Sequence, residues 1–131
     1  MPELNNQNFN HLKIHTQYSI CEGAIKIDNL KDFCKEKKIP CLGLSDTSNL
    51  CGALEFAENI SKVGTQPIIG TQIYFRFEDT TGLLPLIALN ENGYKKIIEL
   101  SSRSYLENDA LSDPHLDIKE LLIDTEGVSL L

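Results

Sequence analysis

The residues of this chain that could do chemistry begin with the stretch HLKIHTQYS at positions 11–19. Two histidines lie four residues apart, with Lys13 between them and His15 at the end of a short apolar run. Imidazole nitrogens and carboxylate oxygens are ligands that zinc and other divalent metals take in proteins. Three interpretations are open at this point: a metal site, the remains of one, or two ordinary histidines.

The predicted strands and helices decide which other residues lie near His15. The apolar pattern predicts strands at 9–14, 41–45, 68–77, 83–89 and in the final EGVSLL, and helices at 28–38, 52–63, 91–106 and from 117 onward. This alternation is typical of an α/β fold with mostly parallel strands. Parallel strands end at one common rim, where ligands bind in such folds. We therefore expect His15, Asp46 and Gln72 to converge there.

Residue chemistry makes a metal at this rim unfavourable. His15 and Asp46 are good ligands, but the ammonium of Lys13 has no lone pair and repels a cation. Thr47 offers a neutral hydroxyl, and Gln72 offers a weakly donating amide oxygen. Two good ligands among three poor ones would hold zinc badly. The simpler interpretation, that loops after strands are polar in any protein, also stays open.

The remaining nucleophiles and histidines give weaker evidence of a catalytic or metal-binding site. Cys21 lies six residues after His15, but its surroundings, ICEGA, lack the pattern of a nucleophile elbow. The spacing of the four cysteines (21, 34, 41 and 51) fits neither a zinc ribbon nor a redox motif, which favours free thiols. His11 is expected to be hydrogen-bonded on a strand, and His115 to be exposed in a loop.

Length and charge restrict the classes of protein. The 131 residues suffice for one domain, assigned here to 1–131, and are few for two. The formal net charge of −7 argues against direct binding to nucleic acid, because phosphate binding needs clustered Lys and Arg.

The two ends of the chain give further expectations. The first ten residues, MPELNNQNFN, show neither a basic nor an apolar signal region, and no apolar run approaches the roughly 20 residues that span a bilayer. We therefore expect a cytoplasmic protein without a membrane partner. The last residues read as a buried strand, which would expose an unpaired edge, so we expect the parent chain to continue beyond 131.

Three stretches together resemble a known family. They are FNHLKIHTQYSICEGAIKIDNL, IPCLGLSDTSNLCGALEFAENISKVGTQPIIGTQIYF and LIALNENGYKKIIELSS. In this order and spacing they resemble the polymerase-and-histidinol-phosphatase (PHP) domains that begin the alpha subunits of bacterial DNA polymerase III. The resemblance covers nearly the whole chain, and its most specific parts are HTQYSICEGA and CLGLSDTSNLCGALEF followed by PIIGTQ.

The resemblance implies a distorted (β/α)7 barrel, of which this chain would supply the N-terminal part. Members with an intact site carry His-x-His after strand one, Asp-His after strand two and Gly-x-Glu after strand three. These residues, with others later in the chain, bind a metal cluster that supports phosphoester hydrolysis, including 3′–5′ exonuclease proofreading. This chain keeps only two of the ligands, His15 and Asp46; three are replaced, by Lys13, Thr47 and Gln72.

The replaced ligands imply a lost metal site and no catalysis in this part of the protein. Degenerate PHP domains resemble folding and docking modules that contact a separate proofreading exonuclease and buttress the polymerase palm and thumb. The resemblance then implies that the parent is a DNA-directed DNA polymerase, with its magnesium-binding carboxylates and its DNA contacts beyond residue 131. This domain itself would need no cofactor.

Two other functions remain as alternatives. One is an active metallophosphoesterase or 3′–5′ exonuclease that tolerates an unusual ligand set. The other is a small phosphatase of the histidinol-phosphate type, which would require the chain to be complete. Neither the choice between a replicative and an error-prone parent nor the oligomeric state follows from the sequence.

Overall fold

The structure, a computed structural model, describes residues 9–131. Most of the first ten residues, in which no signal peptide was recognised, therefore lie outside the described residues. The described residues form four helices: α1 (Ile27–Lys37), α2 (Ala53–Ser61), α3 (Glu91–Leu106) and α4 (Ile118–Leu122). They also form five strands: β1 (Cys41–Thr47), β2 (Gln66–Phe77), β3 (Thr80–Ala88), β4 (His115–Asp117) and β5 (Val128–Leu130).

All five strands belong to one mixed sheet in which β2 is the central member. β1 pairs with the first part of β2 in parallel, and β4 pairs with its later part, also in parallel. β3 returns antiparallel to β2 through a tight turn, and β5 lies antiparallel to β3. The predicted α/β class is confirmed. The hairpin adds an antiparallel portion because the two residues between β2 and β3 are too few for a crossover helix.

The predicted first strand at 9–14 is wrong as a continuous strand. The segment runs beside β1 and makes one parallel bridge, between Ile14 and Leu44. The Gly43 amide donates to the His11 carbonyl at 2.7 Å, and the Ser45 amide donates to the Ile14 carbonyl at 2.8 Å. The ladder ends there because the chain turns immediately afterwards, from residue 16 onward.

The helices on the first half of the sheet lie where they were predicted, although some of their apolar residues are exposed. In α2 the buried residues are Ala53, Phe56 and Ile60, whereas the apolar side chain of Leu54 is 72% exposed. Phe33 of α1 is likewise exposed, while Leu30 and Cys34 are buried. Short helices with several apolar residues offer two neighbouring faces, and the packing against the sheet selects one of them.

The second half of the chain contains one confirmed helix and one strand that was not predicted. Helix α3 has the predicted bounds, and Asn90 caps it by accepting a hydrogen bond from the Gly93 amide at 2.9 Å. β4 was predicted as loop because its three residues are too short for a recognisable alternation. It becomes a strand only through its pairing with β2.

The core consists of two apolar clusters. The first joins α1 and α2 to β1: Ile27, Leu30, Cys34, Leu42, Leu44, Ala53, Phe56 and Ile60. The second joins α3 and α4 to the middle of the sheet: Ile73, Phe75, Leu86, Ile97, Leu100, Leu116 and Leu121. Both clusters fix β1 and β2 firmly, so the polar residues at the end of β1 have a rigid support. Of the helices that the structure describes, none has the length and apolar character needed to cross a membrane.

Replacing Gly43 by alanine tests whether residues 11–14 lie against β1. A Cβ at Gly43 would lie 2.6 Å from the Cα and the carbonyl oxygen of Leu12, so the crossing segment must move. We expect a loss of about 2 kcal/mol in the free energy of unfolding, measured by urea denaturation. Gly82→Ala is the control, because a Cβ there meets no atom within 4 Å. Equal stability of the two variants would contradict the placement of the segment.

Candidate functional site: the polar rim at the end of β1

A loop of residues 16–25, called here the rim loop, crosses the end of β1. Its turns are closed by backbone hydrogen bonds, from Ser19 to the Thr16 carbonyl at 2.9 Å and from Gly23 to the Ser19 carbonyl at 2.9 Å. The loop ends with a parallel bridge between Thr16 and Ile25. Gly23 is required, since a Cβ there would lie 2.1 Å from the Thr16 carbonyl oxygen. The loop is therefore compact and closely packed on itself.

The carboxylate of Asp46 is the centre of the site. Its side chain is fully buried, and Oδ1 accepts hydrogen bonds from the Thr16 amide at 2.6 Å and the Ser19 hydroxyl at 2.7 Å. Oδ2 accepts the Thr16 hydroxyl at 2.7 Å. A buried carboxylate is stable only when such donors replace its lost hydration. Asp46 therefore ties the rim loop to β1.

Thr47 and Gln72 form a second chain of hydrogen bonds beside Asp46. They are opposite each other in the parallel pairing of β1 with β2. The Gln72 amide nitrogen donates to the Thr47 hydroxyl oxygen at 2.6 Å, and the same hydroxyl donates to the Glu22 carboxylate. The Thr47 backbone amide also donates to the Ser19 hydroxyl at 3.0 Å. Two positions predicted as poor metal ligands are thus bonded to each other and to the rim loop.

His15 and Lys13 complete the set of predicted site residues. His15 is partly buried, next to Thr16, and its Nδ1 atom is buried without a hydrogen-bond partner among the described residues. Lys13 is exposed. Gln72 lies seventh of the twelve residues of β2, so it reaches the rim from mid-strand and not from a strand end as expected. The hairpin extends β2 beyond the rim.

An outer group of hydrogen bonds braces the same end of β1. The Tyr18 hydroxyl donates to Glu55 on α2 at 2.6 Å, and this hydrogen bond raises the pKa of Tyr18. The Asn49 side chain donates to the Tyr18 carbonyl at 2.9 Å. From α3, the Tyr105 hydroxyl donates to the Ser48 carbonyl at 2.8 Å. Both neighbouring helices therefore hold the rim in place.

The donor set at the rim does not fit a divalent metal. Asp46 is engaged by three donors, and the Thr47 hydroxyl is used on both sides. Among the described residues, four buried side-chain atoms lack a hydrogen-bond partner: His15 Nδ1, Gln72 Oε1 and the hydroxyl oxygens of Ser45 and Ser48. Of these, only the imidazole is a good ligand for a divalent metal. Within residues 9–131 no group of three His, Cys, Asp or Glu side chains is arranged to hold a metal ion.

Several residues of the rim were missed by sequence reasoning, namely Thr16, Ser19 and Glu22. Hydroxyl and acidic residues in a loop after a strand are ordinary turn residues, so their types gave no signal. The four cysteines are free thiols, and Cys21 lies exposed in the rim loop. His115 lies away from the rim, on β4, where Nδ1 is 2.8 Å from the Asp113 carbonyl oxygen.

The mixed sheet with helices packed on it defines an α/β domain with a polar rim at the end of β1, and comparison with known proteins assigns its family. The family model for the PHP domain matches residues 11–130. The chain belongs to the PHP domain family.

Two similar relatives with curated names come from bacteria. The DNA polymerase III subunit alpha of Caulobacter vibrioides is 37% identical over 140 residues, covering 100% of this chain and 12% of that relative. The subunit of the same name from Rickettsia felis is 36% identical over 124 residues, covering 94% of this chain and 10% of that relative. The chain thus spans about a tenth of the length of these relatives.

Solved structures support the fold. An amidohydrolase from Chromobacterium violaceum, with bound sulfate and no metal, matches 74% of this chain and 33% of its own with a TM-score of 0.60 at 15% identity. A candidate metal-dependent phosphoesterase from Bifidobacterium adolescentis matches 74% of this chain and 32% of its own, with a TM-score of 0.56 at 18% identity. Both chains are about three times as long as the region they share with this one.

Replacing Asp46 by asparagine tests its role as the centre of the rim. The amide has one acceptor oxygen and brings an NH2 group toward donors, so we expect a loss of about 3 kcal/mol in the free energy of unfolding, measured by denaturant titration. Asp32→Asn, at an exposed position on α1, is the matched control and should be neutral. A neutral Asp46→Asn variant would show that the buried carboxylate does not stabilise the fold.

Proposed function

We propose that this chain is the PHP domain of a bacterial DNA polymerase III alpha subunit, acting there as a scaffold without a metal. The names of its relatives support the parent protein, a DNA-directed DNA polymerase. The observation that carries the scaffold role is the hydrogen bonding at the rim, where the Asp46 carboxylate accepts three hydrogen bonds and the Thr47 hydroxyl both donates and accepts one. Such side chains would have to be released before they could hold a cation.

The proposed partners follow from this role. The domain would contact the palm and thumb of its own subunit and would dock the separate proofreading exonuclease. Its net charge of −7 suits contacts with protein surfaces better than contacts with the phosphates of DNA. DNA and magnesium would be bound by the polymerase part of the parent chain, in the cytoplasm.

An active phosphoesterase or 3′–5′ exonuclease is the second candidate. It is favoured by the His15 Nδ1 and Gln72 Oε1 atoms, which are buried and have no hydrogen-bond partner among the described residues. The imidazole and the amide alone offer two donors, whereas catalytic zinc sites use three protein ligands. The scaffold role therefore agrees better with the rim.

Metal analysis separates these two candidates. Purified protein, supplied with zinc or manganese and then desalted, should retain less than one equivalent per chain by mass spectrometry of the metals. It should also show no metal-dependent cleavage of 3′-terminal nucleotides. Stoichiometric metal together with cleavage that is lost in Asp46→Ala would establish the phosphoesterase instead.

Exonuclease docking is tested in the parent subunit. Removing residues 1–131 should abolish its binding to the proofreading exonuclease in a surface-binding assay, whereas the substitution His15→Gln should leave binding intact, because docking needs the domain surface and not a metal ligand. Unchanged binding by the truncated subunit would contradict the docking role.

A further inference from the structure

Thr47 and Gln72, which stand at positions where intact family sites have metal ligands, form hydrogen bonds of their own. A metal ion bound at such a site would join residues from several strand ends. Here Thr47 and Gln72 instead join β1 to β2 and to the rim loop through hydrogen bonds. We infer that the chain Gln72–Thr47–Glu22 is a positioning device that holds the rim loop in place of a metal. This deepens the proposed function, since it assumes that no cation bridges the rim.

The direction of the hydrogen bonds supports this inference. Glu22 is a carboxylate and only accepts, so the Thr47 hydroxyl must give it its single proton. The Thr47 oxygen can then only accept, and it needs a donor from Gln72. A glutamate at 72, the residue of intact family sites, has no such donor at neutral pH. The amide at 72 and the hydroxyl at 47 are therefore matched to each other.

The chain of hydrogen bonds runs from a buried partner to an exposed one. Gln72 is 3% exposed and Thr47 is partly buried, whereas Glu22 belongs to the exposed surface of the rim loop. The chain therefore connects a rigid interior strand to a surface loop. Because its last bond ends on a charged carboxylate, it is of the stronger, charge-assisted kind. The Ser19 hydroxyl, shared between Asp46 and the Thr47 amide, adds a second connection to the same loop.

Hydrogen exchange of the backbone amides in the rim loop tests the device. In EDTA, Thr47→Val should speed the exchange of peptides covering residues 16–25 about tenfold, while peptides of α3 keep their rates. Gln72→Glu should act in the same direction, because it removes the donor without changing the shape. Thr47→Ser keeps the hydroxyl and should restore slow exchange. Thr81→Val, at an exposed position of β3, is the control.

Two results would overturn the inference. One is a rim loop that exchanges equally slowly in Thr47→Val and in the unsubstituted protein. The other is an unsubstituted rim loop that exchanges faster once EDTA is added, because a cation would then be holding it. Unchanged exonuclease binding by the truncated subunit, with the exchange pattern intact, would instead count against the proposed function alone, so the two failures are distinguishable.

Discussion

The buried carboxylate of Asp46 is the interaction on which the rim depends. A carboxylate taken out of water needs donors of its own, and the rim loop supplies three of them through Thr16 and Ser19. The charge and the loop conformation therefore stabilise each other, because neither arrangement is satisfied alone. Asp46 can occupy this position because the apolar residues before it, Leu42 and Leu44, are fully buried and fix β1 in the core.

The central strand β2 decides how the site is built. It pairs with β1 and β4 in parallel and with β3 in an antiparallel hairpin, so it is longer than the strand that carries Asp46. Gln72 consequently reaches the rim from the middle of a strand whose neighbours hold its backbone on both sides. A side chain on such a rigid support suits a fixed hydrogen bond to Thr47.

Membership of the PHP domain family and the absence of a fitting donor set are compatible with each other. Residues from neighbouring strand ends can be joined by a metal ion or by hydrogen bonds. A cation attracts several oxygen and nitrogen atoms at once, whereas hydrogen bonds require donors and acceptors in alternation. Gln72, Thr47 and Glu22 follow that alternation, with an amide donor, a hydroxyl in the middle and a carboxylate at the end.

The sequence by itself determined the α/β class, the bounds of α3 and the poor ligand chemistry at 13, 47 and 72, because periodicity and residue type are local properties. It could not show that residues 9–14 make only one bridge, that α2 turns Leu54 outward or that His115 belongs to a strand. Each of these depends on which surface packs or pairs with which. Likewise, Thr16, Ser19 and Glu22 are ordinary loop residues in sequence. They became site residues only because the tertiary structure brought the buried Asp46 carboxylate and the Thr47 hydroxyl within hydrogen-bonding distance of them.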